Sequence, residues 1–221
     1  VRLAHLLAPL APALCAACGG RAEAAEPLCG SCRARLRWLG PLPVEAAGVS
    51  VWAPVVYDGP ARALVRALKF GGAWRAAETM AAHIAANAPA GALVEAEPRA
   101  HAEAARPAAL VPVPLHPRRL RRRGYDQAAL LAQALGDRTG LAVDPCLARA
   151  GSSGAQVGRG RAERLTGPPG AIHARGPAPR RAVLVDDVVT TGGTLAACAG
   201  ALRAAGTEHV AAVAYARTPG R

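Results

Sequence analysis

Hydrophobic positions along this chain change their spacing several times, and each change marks an element. An uncharged run from Leu3 to Gly20, interrupted by Pro9, Pro12 and the Gly19-Gly20 pair, predicts a short apolar helix packed on the protein. It is not expected to be a signal peptide or a membrane span. From Gly40 to Tyr57, prolines and β-branched residues predict a hairpin or edge strands, with SVWAPVVY as the main strand. Ala61, Leu64, Val65 and Leu68 then recur at helical spacing up to the double glycine at 71 and 72, and a second helix is expected from Trp74 to Asn87. The stretch GALVEAEPRAHAEAARPAA has neither period and is expected to be a linker.

The downstream half alternates strand and helix in the manner of a parallel sheet. AALVPVP predicts a buried strand and LHPRRLRRRGY a basic loop. Asp126 is expected to cap the helix QAALLAQALG, with Gly136 as its stop. PCLARA and AIHA predict two short strands, separated by the long glycine-rich loop GSSGAQVGRGRAERLTGPPG. RAVLVDDVVTTGGTLAACAGALRAAGTEHVAAVAYAR then predicts strand, loop, helix and strand, a βαβ unit. The chain is therefore expected to be an α/β protein in three parts: residues 1–39, residues 40–106 and a core over residues 107–221.

Composition narrows the chemistry. With 52% hydrophobic and 19% charged residues in 221, the chain has enough apolar surface to bury a core, which excludes a disordered protein. Lys+Arg 27 against Asp+Glu 15 leaves +12, so anionic partners are favoured. Trp 3, Tyr 3 and Phe 1 provide few rings on which a nucleic-acid platform could stack bases.

Cysteines make the first site. Cys15 and Cys18 form one C-x2-C knuckle, Cys29 and Cys32 a second, and each can present two thiolates to one ion. A structural zinc ion in a small ribbon-like module is expected, the alternative being two disulfides. The apolar settings of Cys146 and Cys198 predict small buried hydrophobes. Without a secretory signal, the chain is expected in the reducing cytoplasm.

The second site is VLVDDVVTTGGT. A strand buried on both faces delivers Asp186 and Asp187 at its carboxyl end, where open α/β sheets bind ligands. The loop Thr190, Thr191, Gly192, Gly193, Thr194 then opens a helix. Its small residues let successive N–H groups close around an anion, and the helix N-terminus favours negative charge. Phosphate suits the loop, and hydroxyls, directly or through a divalent ion, suit the carboxylates. Neither a Walker A motif nor a G-x-G-x-x-G fingerprint is present.

This strand, acidic pair and Thr/Gly loop resemble the signature of type I phosphoribosyltransferases. The resemblance implies a phosphoribosyltransferase-like parallel sheet flanked by helices, with Asp186 and Asp187 on the ribose hydroxyls of phosphoribosyl pyrophosphate and Thr190 to Thr194 on its 5-phosphate. Read in order, the four-cysteine module, ALKFGG, VPVPLHPRRLRRRGYDQAALLA, QVGRGRAER and the sugar-phosphate signature resemble the ComF (competence protein F) family across almost the whole chain. Two departures are Asp126, where that family commonly has Asn, and the neighbourhood of Gly167, where it usually has another Asn.

The resemblance implies further roles. His116, Arg118 and Arg119 would face the pyrophosphate, with Mg2+ accompanying phosphoribosyl pyrophosphate. Arg121, Arg122 and Arg123 would meet a polyanion, the alternative for the run being a solvated basic helix start. Gln156, Arg161 and Arg164 would sit in a mobile catalytic flap, the alternative being a surface loop. Lys69 and Phe70 are read either as part of a hood over the site or as an ordinary helix end. The function implied is handling of single-stranded DNA in DNA uptake, together with uptake-machinery partners. The competing function is a small-molecule phosphoribosyltransferase in nucleotide or cofactor salvage. Any catalysed reaction would displace pyrophosphate from the anomeric carbon, and no motif names the acceptor.

Overall fold

A computed structural model describes residues 13–23, 26–70, 73–89, 92–93, 109–150 and 171–219. Residues 3–12 of the expected N-terminal helix, most of the linker and the glycine-rich loop with Gln156, Arg161 and Arg164 lie outside the described residues, whereas residues 13–20 of that expected helix form a turn closed by a Leu14–Arg21 bridge instead. The central sheet has strand order β1-β2-β9-β8-β4-β5, with β3 also pairing with β9. Its strands are β1 (Val44–Ala46), β2 (Val49–Trp52), β3 (Val55–Val56), β4 (Ala109–Pro112), β5 (Ala142–Val143), β8 (Arg181–Val189) and β9 (His209–Arg217). Every pairing in it is parallel except the β1–β2 hairpin.

Period-2 alternation in the central strands builds two cores. Val183 and Val185 of β8, with Val213 and Tyr215 of β9, face α2 (Gly59–Phe70), α3 (Ala73–Asn87) and α5 (Gln127–Thr139), whose Leu64, Leu68, Met80, Ile84, Leu131 and Leu135 are fully buried there. Ala182 and Leu184, with Ala212 and Ala214, face α6 (Gly193–Ala204) through Leu195, Cys198 and Leu202. Being covered on both sides, these strands read as continuous apolar runs.

The N-terminal module is not a separate body. Cys15, Leu28, Cys32 and Leu36 belong to the same buried cluster as the α2 and α3 leucines. The chain leaving α1 (Gly30–Ala34) also hydrogen-bonds along β3, through Leu39 N to Pro54 O at 2.7 Å and Val56 N to Arg37 O at 2.9 Å.

Four local expectations are corrected. SVWAPVVY is two strands, β2 and β3, separated at Ala53 and Pro54. The expected basic loop is the helix α4 (Pro117–Arg123), with His116 as N-cap, proline in its first turn and left-handed Gly124 as C-cap. PCLARA and AIHA supply β6 (Leu147–Arg149) and β7 (Ile172–Ala174), which pair antiparallel as a ribbon apart from the main sheet, whereas the unforeseen β5 takes the sheet edge. Gly136 does not stop α5. The helix continues to Thr139 and ends at left-handed Gly140, whose N–H bonds Gly136 O. Gly136 is there for space, because a Cβ at this position would sit 2.9 Å from both Leu141 O and Val143 Cγ2.

Gly136→Ala should therefore overpack the α5–β5 contact and cost about 1–3 kcal/mol. Gly140→Ala, in open space at φ +73°, should cost about 1 kcal/mol through backbone strain alone. Urea midpoints measure both, and a Gly136→Ala protein as stable as the wild type would refute the packing argument.

Candidate functional site

Strand geometry builds the acidic site. The stretch of β8 buried on both faces runs from Ala182 through Val185, and Asp186 is the next polar side chain the strand carries after Arg181. Adjacent residues of a strand leave opposite faces, so the two carboxylates diverge. Asp187 turns toward α2 and is 4% exposed; its Oδ2 lies 2.9 Å from Lys69 Nζ. Apart from that ion pair, Asp187 Oδ2 has no hydrogen-bonding partner among the described residues. Asp186 is on the α6 side, where its Oδ1 accepts from Asp187 N at 2.8 Å. Burial first, and then the neighbouring Asp187 charge, push its carboxyl up to about 8, so it holds its proton at neutral pH. Its field in turn adds to burial in pushing the Cys198 thiol up to about 12.

The threonine-glycine loop follows directly. Gly192 is the N-cap of α6 at φ +81°, and no side chain caps the helix. A Cβ on Gly192 would lie 2.7 Å from both the Cβ and the carbonyl oxygen of Ala46, so the β1–β2 hairpin presses on the loop backbone. Thr190, Thr191 and Thr194 are exposed, as is Gly193. The site thus combines a buried and a half-buried carboxyl with a helix N-terminus whose first N–H groups lack a side-chain acceptor.

The segment after β4 emerges at the same end of the sheet, since Pro112 pairs with Val185 and Val113 N bonds Val185 O at 3.0 Å. Asp126 fixes its return by capping α5 through Oδ1 to Ala128 N at 2.9 Å while Oδ2 accepts from Leu115 N at 3.0 Å. An asparagine has one oxygen and could not accept on both sides. His116 Nδ1 accepts from Arg118 N at 3.2 Å, which makes it a cap. Arg118, Arg119, Arg121 and Arg122 are exposed. Arg123 differs: its guanidinium lies over the Phe70 ring at 5.2 Å and Nη1 donates to Gln127 Oε1 at 2.8 Å. Lys69, read in the sequence either as part of a hood over the site or as an ordinary helix end, is brought to the acidic pair. Its signal was compositional, as the single lysine among 27 basic residues.

The cysteine centre is a second constellation. The four Sγ atoms of Cys15, Cys18, Cys29 and Cys32 lie within 4.8 Å of one another, and Cys18 Sγ and Cys29 Sγ are 3.7 Å apart. Tetrahedral zinc with Zn–S bonds of about 2.3 Å sets its sulfurs about 3.8 Å apart, so the arrangement fits the ion. The Ser31 hydroxyl and the Cys32 backbone lower the Cys29 thiol to about 6, whereas burial and the neighbouring sulfurs raise Cys32 to about 12. Four sulfurs this close cannot all ionise without a cation, and a metal ion supplies that charge. Cys15, Cys18, Cys29 and Cys32 would be its ligands, in a structural role.

No protein-family model matches the chain, and no curated protein sequence does. Among solved structures it is similar to an adenine phosphoribosyltransferase. That protein, from Thermoanaerobacter pseudethanolicus, is 14% identical with a TM-score of 0.38, over 85% of this chain and 98% of that one. At that distance the functional reading rests on the site's own geometry. Among the described residues no helix is long and apolar enough to cross a membrane.

Two outcomes follow from these centres. Protein purified in reducing, chelator-free buffer should carry one zinc ion per chain by elemental mass spectrometry, and Cys18→Ser should lower both zinc content and the melting temperature of the whole chain, because the module shares the main core. A stable, zinc-free wild type would contradict this. The second outcome concerns pH. Asp186 keeps its proton up to about 8 when folded but loses it near its ordinary 3.8 when unfolded, so the folded state binds the extra proton and stability falls as pH rises through that window. His83, lowered by burial to about 4, acts in the opposite sense only below its ordinary 6.5. Cys29, lowered to about 6 from its ordinary 9.0, opposes Asp186 across the same window. Unfolding free energies in urea at about pH 6.5 and about pH 8 should therefore fall more, or rise less, in the wild type than in Asp186→Asn, and an equal change in the two would contradict the retained proton.

Proposed function

We propose that the chain binds a sugar phosphate of the phosphoribosyl pyrophosphate type at the carboxyl end of β8. The observation that carries this reading is the carboxylate pair, Asp187 buried and Asp186 half-buried, set directly before a Thr/Gly loop that opens a helix without a side-chain cap. The carboxyls of Asp186 and Asp187 suit vicinal hydroxyls, and the backbone of Thr190 to Thr194 with its three hydroxyls suits a phosphate. Magnesium would screen the diphosphate's charge beside the acidic pair. His116, Arg118 and Arg119 are proposed to flank the pyrophosphate, and Gln156, Arg161 and Arg164 to close over it.

We further propose, from the resemblance to ComF proteins, that the role is handling of single-stranded DNA during uptake, in the cytoplasm and with partners in that machinery. Its support is the exposed arginine surface of α4, which leaves the sheet at the same end as the acidic pair. Arg121 and Arg122 are the phosphate contacts in this reading. Arg123 is engaged with Phe70 and Gln127. Residues 1–39, 40–106 and 107–221 would then serve as zinc module, hood and sugar-phosphate core.

Phosphoribosyl pyrophosphate with magnesium, at about a hundred times its Kd, should raise the melting temperature by about 5–10 °C. Asp187→Asn should lose most of the shift, and a full response in that variant would remove the carboxylates from the site. On single-stranded DNA, Arg121→Ala with Arg122→Ala should flatten the log–log salt dependence by about 1.4, at about 0.7 per phosphate contact. An unchanged slope would return α4 to a solvated face, and salvage of a small acceptor would become the leading role.

A further inference from the structure

Lys69 stands out both in the sequence and in the site. The chain meets its need for positive charge with arginine at every basic position but this one. Here the ammonium reaches a single buried oxygen, Asp187 Oδ2, at 2.9 Å, with side-chain exposures of 23% and 6%. A compact ammonium on a flexible stem can pair with one oxygen in a narrow space, whereas a planar guanidinium needs room for a fork. The backbone around it is pinned on both sides: Leu68 O accepts from the Tyr125 hydroxyl at 2.8 Å, and Arg123 stacks on Phe70. Only the lysine stem is then left to move.

We propose that Lys69 is a resident counter-ion, holding at Asp187 the place that a divalent cation takes when the sugar phosphate is loaded. The proposal rests on the sugar-phosphate reading above. A buried carboxylate left unpaired is strongly destabilising, so the empty site needs a positive charge, and Lys69 supplies one without any ligand. An ammonium and a metal ion cannot share the same oxygen at contact distance, since like charges repel over a few ångströms in a poorly solvated site. Cation entry therefore turns the ammonium outward, and the cost of that displacement lowers the cation's apparent affinity until a ligand accompanies it. Lys69 thus acts through Asp187 as a gate against the bare ion.

Two measurements with Mn2+ alone test this, with no anion present to shield the lysine. Electron paramagnetic resonance titration should show Lys69→Met binding Mn2+ on the order of tenfold more tightly than wild type. A lysine with a purely structural role would not produce a gain in affinity. In the wild-type protein, acylation of Lys69 by an amine reagent, followed by mass spectrometry of the peptide containing it, should become several-fold faster when Mn2+ is saturating. This second arm does not depend on the variant folding. Equal or weaker Mn2+ binding by Lys69→Met, or a labelling rate that Mn2+ leaves unchanged or slows, would overturn the proposal. The melting temperature of the same wild-type sample with magnesium and phosphoribosyl pyrophosphate separates the two readings. No shift would remove the sugar-phosphate site and this proposal together, whereas a shift with unaltered labelling would remove the proposal alone.

Discussion

Burial of β8 on both faces is the constraint on which the rest of this structure depends. A strand wedged between two helical layers must be apolar along its covered length, and it can carry polar groups only where the layers end. At that point alternation sends adjacent carboxyls to opposite sides, and each side resolves its charge differently. Toward α2, Asp187 pairs with Lys69 at 2.9 Å. Toward α6, Asp186 keeps its proton, because burial and the neighbouring carboxylate penalise a second negative charge. The acidic pair is neutralised by an ion pair on one face and a retained proton on the other.

The same packing makes the cysteine module part of the domain. Trp38, just past the module, meets the His83 ring edge-on at 5.2 Å, and His83 stacks against Tyr215 of β9 with Nδ1 3.1 Å from its hydroxyl. Arg37 reaches Asp58 at 2.6 Å, at the start of α2. A metal held by the four cysteines would brace the layer that includes α2, and α2 carries Lys69 to Asp187, so the cysteine cluster and the acidic pair are connected through one helix.

The arginine helix shows how seven residues with none buried hold their shape. His116 caps the start, Gly124 closes the end, and Arg123 anchors the last turn to Phe70 and Gln127. The four remaining arginines are therefore presented on a fixed backbone, which in the proposed role would lower the entropic cost of meeting a polyanion. The sequence carried both caps, Pro117 and Gly124 included, but the density of charge suggested a loop.

Much of this protein was legible in the chain because local physics is written locally. Helical spacing in ALVRAL, the continuous apolar run of β8, the paired knuckles of the cysteines and the cap at Asp126 each depend on neighbours a few residues away, and each appears in the structure. Errors occurred where a residue answers to packing or pairing rather than to the spacing of its own element. Gly136 looked like a helix stop but is a contact with Leu141 and Val143, and the two short strands expected in a parallel sheet pair with each other instead. Tertiary structure alone brought Lys69 to Asp187, pressed Ala46 on Gly192 and drew Arg123 away from solvent. Such contacts depend on strand order and on which helix covers which face, and neither leaves a signature in local spacing or composition.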